Sequence, residues 1–249
     1  MIDTHSHILP GLDDGPDAIS QSLGVIRTAE TQGITTLLAT PHSLDGIYNC
    51  TKNQILDACK QLNRELWERN ISVSVLPGSE IRVDGTLMEK IDNNEILTLN
   101  NAGRYILLEL PPIFMVEGIS FMLRQLRDRG VVPVLAHSER YPMILSNPAI
   151  LSEFLYNGAR LQISAGSLTG DFGKPVMKFV YKMLAEDMVY CVGSDIHPGR
   201  KYRMADAEKR IKKFSGQKKS EIILIENPHT IVHEKEGLFH NRYVKKHCE

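Results

Sequence analysis

The chain has 249 residues, of which 42% are hydrophobic and 24% charged, so it can bury a large core. Its 29 basic and 30 acidic residues give a net charge of −1, so the composition shows no electrostatic footprint of a nucleic-acid-binding protein, although a local basic pocket stays open. No signal peptide and no apolar run long enough to span a membrane is recognised.

The cysteines also indicate a cellular compartment. Cys50, Cys59, Cys191 and Cys248 are widely spaced and form no C-x-x-C pair. This pattern favours a reduced chain over a disulfide framework, and we expect a cytoplasmic protein without direct membrane insertion.

Short apolar runs, typical of parallel strands covered on both faces, alternate with amphipathic segments. The predicted strands are, in chain order, Met1–Asp3, Ile34–Thr40, Val73–Pro77, Tyr105–Leu110, Val132–Ala136, Leu161–Ser164 and Val189–Gly193. Helix-spaced apolar residues predict helices around 19–26, 55–66, 119–126, 176–183 and 204–211, and another that starts at Asn147-Pro148 and ends at Gly158. Seven strands alternating with helices predict an α/β fold whose parallel sheet closes or nearly closes into a barrel. We expect a single domain over residues 1–249, with 237–249 a polar tail.

Residues able to bind metals follow almost every predicted strand. They are His5 and His7 after the first strand, His42 after the second (TPH), Glu80 after the third (PGSE), Glu109 after the fourth (LLEL), His137 after the fifth (LAHSER), and Asp195 and His197 after the seventh (VGSDIH). Only the sixth strand, in LQISAGS, lacks a charged or imidazole residue. Because the carboxyl ends of barrel strands form one face, these eight side chains are expected to converge. His5 and His7 lie two residues apart on an extended segment and therefore point to the same side.

Five imidazoles and three carboxylates in one mouth would destabilise the fold if they were left unpaired. Divalent cations would stabilise them, and this ligand set suits manganese, iron or zinc. We interpret His229, His233, His240 and His247 as surface residues, and Glu139 as a residue that caps a helix or pairs with an arginine.

Three further residues close to these positions could act on a substrate. Arg140 and Arg200 each follow a predicted ligand by three residues, and a guanidinium beside a metal cluster suits a phosphate-type oxyanion. A surface salt bridge is the alternative for each arginine. Asp14 could be a general acid or base or could orient a metal-bound water, and the alternative is a turn aspartate before Gly15.

Several other chemistries are excluded by their missing motifs. The sequence has no C-x5-R motif of a cysteine phosphatase, no P-loop and no G-x-S-x-G elbow.

Seven stretches together resemble the polymerase-and-histidinol-phosphatase (PHP) family, over Met1 to about Pro228: MIDTHSHILPGLDDGP, ATPH, PGSE, LLEL, AHSERY, SDIH and ENP. Within that family they are similar to the manganese-dependent bacterial protein-tyrosine phosphatases encoded beside capsule and exopolysaccharide genes. The resemblance implies a distorted (β/α)7 TIM-like barrel with two to three metal ions, most often Mn²⁺, with Fe or Zn as alternatives. The eight residues above would be the metal ligands.

The resemblance also assigns Arg140 to the substrate phosphate. A second arginine is expected in a G-R-x-[FY] stretch, which here is GRKY and supplies Arg200. Because HPGRKY is shorter than the family pattern, Arg203 stays open as a rival.

The implied function is hydrolysis of phosphotyrosine by attack of a metal-bound hydroxide. The implied substrates are the tyrosine-rich tail of a bacterial tyrosine kinase that controls capsular or exopolysaccharide synthesis, and other phosphotyrosyl proteins. One alternative is a phosphatase acting on a small phosphomonoester such as histidinol phosphate. A second alternative is a non-catalytic, metal-stabilised adaptor for the kinase. No nucleic-acid partner is expected, and the oligomeric state stays open.

Overall fold

The protein is described by a computed structural model that covers residues 1–112 and 117–234. The predicted polar tail, with His240, His247 and Cys248, lies outside the described residues. The strands within them are β1 (Ile2–Ser6), β2 (Thr36–Ala39), β3 (His42–Ser43), β4 (Ser74–Pro77), β5 (Glu80–Arg82), β6 (Tyr105–Glu109), β7 (Val132–Leu135), β8 (Arg160–Ser164) and β9 (Val189–Gly193).

The helices of the same residues lie between and after these strands. They are α1 (Ile19–Thr31), α2 (Lys52–Glu68), α3 (Leu87–Asp92), α4 (Ile119–Asp128), α5 (Pro142–Ser146), α6 (Ala149–Tyr156), α7 (Ala165–Thr169), α8 (Lys174–Ala185), α9 (Met204–Ser215), α10 (Gln217–Glu221) and α11 (Asn227–His233). Helical turns of other types cover Leu99–Asn101, Ser138–Arg140 and Ile222–Glu226. No helix of the described segments is long and apolar enough to cross a membrane.

All neighbouring strands pair in parallel, in the orders β1-β2-β4 and β3-β5-β6-β7-β8-β9. The short strand β3 follows β2 after Thr40 and Pro41, and proline has no N–H to donate to a sheet ladder. The short strand β5 likewise follows β4 after Gly78 and Ser79. The nine segments therefore occupy seven strand positions, in the predicted chain order.

Hydrogen bonds link the first strand to the last. Thr4 Oγ1 donates to Val192 O over 3.1 Å, and Asp195 N donates to His5 O over 2.9 Å. His7 N donates to Ile196 O over 3.2 Å. These bonds join β1, an edge strand of one sheet, to β9 and the segment after it, at the edge of the other sheet. The predicted fold class, a distorted (β/α)7 TIM-like barrel, is confirmed.

Strand alternation separates two buried clusters. In β6, Tyr105 and Leu107 belong to a small cluster that also contains Ile231 of α11, whereas Ile106 and Leu108 belong to the large cluster packed against the outer helices. Because side chains alternate along a strand, Glu109 follows Tyr105 and Leu107 on their side of the sheet. This places its carboxylate at the carboxyl end of the strand.

One helix boundary differs from its prediction. Asn147 closes α5, where its backbone N–H donates to Met143 O over 3.0 Å, and its side chain makes no capping hydrogen bond to α6 among the described residues. Pro148 takes the capping position of α6 instead. His229 and His233, predicted on the surface, are exposed on α11.

Candidate metal centre

Glu80 lies at the centre of the residues gathered at the carboxyl ends of the strands. Its buried carboxylate places Oε2 3.2 Å from His5 Nε2, 3.2 Å from His7 Nε2 and 3.3 Å from His42 Nδ1. Its other oxygen, Oε1, lies 2.9 Å from His137 Nε2. One carboxylate from the third strand position therefore contacts imidazoles from the first, second and fifth positions.

The remaining predicted ligands surround this group. Asp195 Oδ1 lies 3.7 Å from His5 Nε2 and 3.5 Å from His197 Nδ1. Glu109 Oε1 lies 3.8 Å from His137 Nε2, and its Oε2 accepts two hydrogen bonds from Arg82. All eight predicted ligands thus lie in one continuous cluster.

Three sets of side chains have donor atoms close enough to hold a metal ion, with all atoms of a set within 4.8 Å of one another. The sets are His7, Asp14, His42 and His197; His5, His7 and Glu80; and Glu80, Glu109 and His137. Asp14 was predicted as a general acid or base, not as a ligand, yet its Oδ1 lies 3.2 Å from His197 Nε2. Asp195 adjoins the sets without belonging to one.

The donor atoms fit divalent cations. His5 Nε2 and His7 Nε2 lie 3.0 Å apart in the buried interior, and two ring nitrogens at this distance need a proton or a cation between them. Within residues 1–112 and 117–234, buried His42 Nδ1 has no hydrogen-bond partner, although Glu80 lies nearby. Nitrogen and oxygen donors without a thiolate suit Mn, Fe or Zn.

Charge compensation shapes the protonation of the cluster. Burial disfavours a charged His7, but Asp13 and Glu80 outweigh it and raise the pKa of His7 well above its usual range. Burial disfavours a charged Glu80 as well, yet His5 and the other imidazoles hold the pKa of Glu80 well below its usual range. Burial and the nearby His7 lower the pKa of His197 to about 4. Because histidine binds metals in its neutral form, cation binding displaces protons from this cluster.

Two supporting side chains were not identified from the sequence. Asp13 Oδ2 accepts a hydrogen bond from His7 Nδ1 over 2.6 Å and another from His42 N over 3.0 Å. Gln162 Oε1 lies 2.8 Å from His5 Nδ1. A group that orients the second nitrogen of a ligating histidine also fixes its tautomer. The sixth strand supplies no predicted ligand, but through Gln162 it supports the predicted ligand His5.

Asp13, rather than Asp14, makes the turn contact with Gly15 that was the alternative for Asp14. Asp13 Oδ1 accepts a hydrogen bond from Gly15 N over 2.9 Å. The Asp14 side chain is 46% exposed and faces His197 at the rim. Asp14 is therefore the aspartate of this pair that an incoming molecule can reach.

Asp13→Ala is expected to weaken metal affinity by about 10–100-fold, as is common when a group that orients a ligand is removed. The expected loss arises because His7 would no longer be held in one tautomer. Metal titration of the purified variant measures the effect, and Asp17→Ala on the same loop is the control. Unchanged affinity in Asp13→Ala would show that His7 needs no such support.

Two predicted ligand positions have an unusual backbone. His137 has φ 34° and Asp195 has φ 51°, in the left-handed region that side chains other than glycine rarely adopt. At Gly193, immediately before this turn, an added Cβ would lie 2.4 Å from His5 Cβ. Strained backbone of this kind is concentrated at functional sites.

Asp3 anchors the segment that carries the last predicted ligands. Its Oδ1 accepts a hydrogen bond from Ser194 N over 2.8 Å, and its Oδ2 accepts one from Tyr202 OH over 2.6 Å. Both contacts are made by a buried carboxylate. Asp3 thereby ties the first strand to both ends of the loop that holds Asp195, His197 and Arg200.

The predicted arginines approach the same carboxylate. Arg140 and Arg200 both donate to Asp195 Oδ2, the latter from Nη1 over 2.8 Å. Arg203 instead forms ion pairs with Asp171 and Asp206, with shortest N···O distances of 3.1 and 3.2 Å. Arg200, not Arg203, therefore lies beside the cluster.

Glu139 acts as the predicted cap. Its Oε1 accepts hydrogen bonds from Ser164 N and Ser167 Oγ at the start of α7. This contact fixes the turn that carries Arg140.

The cysteines of the described residues are unsuited to nucleophilic chemistry. Cys50, Cys59 and Cys191 are buried and free. Burial raises the pKa of Cys50 to about 11 and the pKa values of Cys59 and Cys191 to about 12. Each therefore stays a protonated thiol near neutral pH, which is a poor nucleophile.

The chain is similar to known proteins over almost its whole length. The family described as capsular polysaccharide synthesis, CpsB/CapC, matches residues 1–233. Tyrosine-protein phosphatase YwqE of Bacillus subtilis (strain 168) is 38% identical over 197 residues, which is 79% of this chain and 77% of that protein. Tyrosine-protein phosphatase CpsB of Streptococcus pneumoniae is 30% identical over 239 residues, which is 93% of this chain and 98% of that protein.

A solved structure agrees with these matches. It is one of the crystal structures of YwqE from Bacillus subtilis and CpsB from Streptococcus pneumoniae, two proteins described as unique metal-dependent tyrosine phosphatases. It superposes with a TM-score of 0.90 at 33% identity and covers 96% of each chain. The predicted resemblance to the capsule-associated tyrosine phosphatases is confirmed, and the chain belongs to the CpsB/CapC family of capsular polysaccharide synthesis.

Proposed function

We propose that this chain is a metal-dependent protein-tyrosine phosphatase. Its substrates would be phosphotyrosines on a bacterial tyrosine kinase that controls capsular or exopolysaccharide synthesis, together with other phosphotyrosyl proteins. The observation that carries the proposal is one mouth in which five imidazoles and three carboxylates adjoin two arginines. The names of the relatives support the same activity.

The eight predicted ligands would hold two to three divalent cations, with Mn²⁺ favoured and Fe or Zn as alternatives. Asp14 could supply a further ligand to the set that contains His7, His42 and His197. Bound cations would supply positive charge for the phosphate oxygens and would lower the pKa of a water toward 7. Because β1 and the segment after β9 both contribute ligands, we propose that residues 1–249 act as one PHP-type domain.

The two arginines would bind the phosphate group. Arg140 and Arg200 already share an anionic partner, the carboxylate of Asp195. A guanidinium donates paired hydrogen bonds to phosphate oxygens as well as to a carboxylate. The phosphate would therefore be held at the rim, between the arginines and the buried ligands.

Asp14 would handle a proton at the leaving group. Its carboxylate is partly exposed and lies beside His197 at the mouth. The conjugate acid of a tyrosine phenolate has a pKa of about 10, so the leaving group needs less protonation than an alkoxide. Phosphoryl transfer depends mostly on positioning and charge stabilisation, so no protein nucleophile is required.

One assay tests the proposal. Purified protein with quantified metal content would be given a phosphotyrosyl peptide, a phosphoseryl peptide and histidinol phosphate, with and without added Mn²⁺. A strong metal-dependent preference for phosphotyrosine is expected, and the tyrosine-rich tail of the kinase is the next substrate. Preference for histidinol phosphate would assign a small phosphomonoester instead, and bound metal without turnover would favour the adaptor.

The second phosphate arginine can be identified with two matched variants. Arg200→Ala is expected to lower kcat/KM for a phosphotyrosyl peptide by about 10²-fold, as for loss of one transition-state charge donor. Arg203→Ala is expected to change it by less than about 3-fold, because an exposed ion pair contributes little. The reverse order of effects would assign the phosphate to Arg203.

A further inference from the structure

Phe172 lies against both arginines of the proposed phosphate site. Arg140 Cζ is 4.5 Å from the centroid of the Phe172 ring, and Arg200 Cζ is 5.9 Å from it. A guanidinium within about 6 Å of a ring centroid is attracted by the negative face of the ring. One half-buried aromatic side chain thus contacts both of the cations that share the carboxylate of Asp195.

The backbone around Phe172 is specified by glycine. Gly170 and Gly173 have φ values of 91° and 92°, which residues with a Cβ rarely adopt. Asp171 N donates to Gly166 O over 3.0 Å and so joins the turn to α7. A Cβ on Gly166 would lie 3.0 Å from Phe172 Cε2, so the missing side chain leaves room for the ring.

A second contact ties this turn to α9. The carboxylate of Asp171 pairs with Arg203, whose Nε lies 3.1 Å from Oδ2. Asp171 and Phe172 are consecutive, so the ion pair and the ring contacts act on the same short turn. The ring itself is seated at Gly166, while the exposed Asp171–Arg203 pair only joins the turn to the residue that precedes α9.

We propose that Phe172 is a positioning residue that orders Arg140 and Arg200 for a phosphate group, an inference that rests on the proposed phosphatase function. In the part of the chain that the structure describes, Asp195 is the only hydrogen-bond acceptor of the Arg140 side chain. Asp195 is also a proposed ligand, so a bound cation would compete for its charge. The Phe172 ring then becomes the fixed contact that limits the rotamers of Arg140. For Arg200 the ring adds to the hydrogen bond from Nη1 to the backbone oxygen of Asp195, over 2.9 Å. Ordering both arginines in advance lowers the entropy cost of binding phosphate.

The test measures binding of inorganic phosphate to manganese-loaded protein by titration calorimetry, alongside KM for a phosphotyrosyl peptide. Phe172→Leu keeps an apolar side chain but removes the ring, and Phe172→Tyr restores the ring. We expect Phe172→Leu to weaken phosphate binding by about 2–30-fold, with a matching rise in KM, at wild-type metal content. Phe172→Tyr is expected to stay within about 2-fold of the wild type.

Phe121→Leu is the matched control. The centroid of the exposed Phe121 ring lies 5.9 Å from Arg124 Cζ, so it makes the same kind of ring–guanidinium contact outside the cluster. Wild-type phosphate affinity in Phe172→Leu would overturn the inference. So would a Phe172→Tyr variant as weak as Phe172→Leu, a loss of metal from Phe172→Leu, or a wild-type protein that binds no phosphate. A wild type that binds phosphate but does not hydrolyse phosphotyrosine would refute the proposed function alone, since the phosphate affinities would still test the ring.

Discussion

Glu80→Ala is expected to lose bound metal and to lower phosphotyrosine hydrolysis by at least about 10³-fold. Glu80 contacts His5, His7, His42 and His137, so its removal takes the shared negative charge from four imidazoles. Several kcal/mol of charge stabilisation in the transition state would be lost with the cations. Metal analysis and steady-state kinetics on the purified variant measure both effects.

Glu186→Gln is the control for this experiment, because Glu186 is an exposed carboxylate at the carboxyl end of α8. Circular dichroism would establish that Glu80→Ala retains the barrel. A folded Glu80→Ala variant with wild-type metal content and activity would contradict the assignment of Glu80 as a shared ligand.

Arg140→Ala is expected to lower kcat/KM for a phosphotyrosyl peptide by about 10²–10³-fold while metal content is unchanged. The magnitude is that of removing one preorganised donor to the charge that develops in a transition state. Arg140 donates to Asp195 and packs on Phe172, and its guanidinium has no acceptor atom with which to bind a metal.

Arg140→Lys separates charge from geometry. Lysine keeps the positive charge but lacks the planar fork of the guanidinium, so we expect it to restore only part of the activity. An unchanged rate in Arg140→Ala would remove this residue from the mechanism, and metal loss would make its role structural.

The positions of the eight predicted ligands could be derived from the sequence because two simple rules act together. Parallel strands place their carboxyl ends at one face, and residues two apart on an extended segment share a side. His5 and His7 follow the second rule, and Glu80 and His137 meet because of the first. Neither rule needs knowledge of loop conformation.

The supporting residues could not be derived in this way. Asp13 and Asp14 are adjacent, identical residues in a loop, where no periodicity indicates which one supports His7 and which faces the mouth. Gln162 is neutral, so nothing in the sequence distinguishes it from an ordinary buried amide. Phe172 is an apolar residue of the kind that usually packs in a core, and only its distance from two guanidinium groups indicates the proposed role.

Short elements were missed for a related reason. The helices α5 and α7 have five residues each, too few to show a helical period. The strand β3 has only two residues and lies beyond Thr40, where the predicted strand ends, so no alternation could reveal it. In both cases the local backbone depends on contacts with distant segments.

The hydrogen bond between Asp195 N and His5 O has a consequence for folding during synthesis on the ribosome. A ribosome adds about 5–20 residues per second, so roughly 10–40 s separate the synthesis of these two residues. During that interval the first histidines have emerged without their last partners. Contacts between residues so distant in sequence also slow folding. The site can therefore be completed only when the chain is nearly finished, and a nascent chain stalled before Asp195 would carry its first histidines without a completed site.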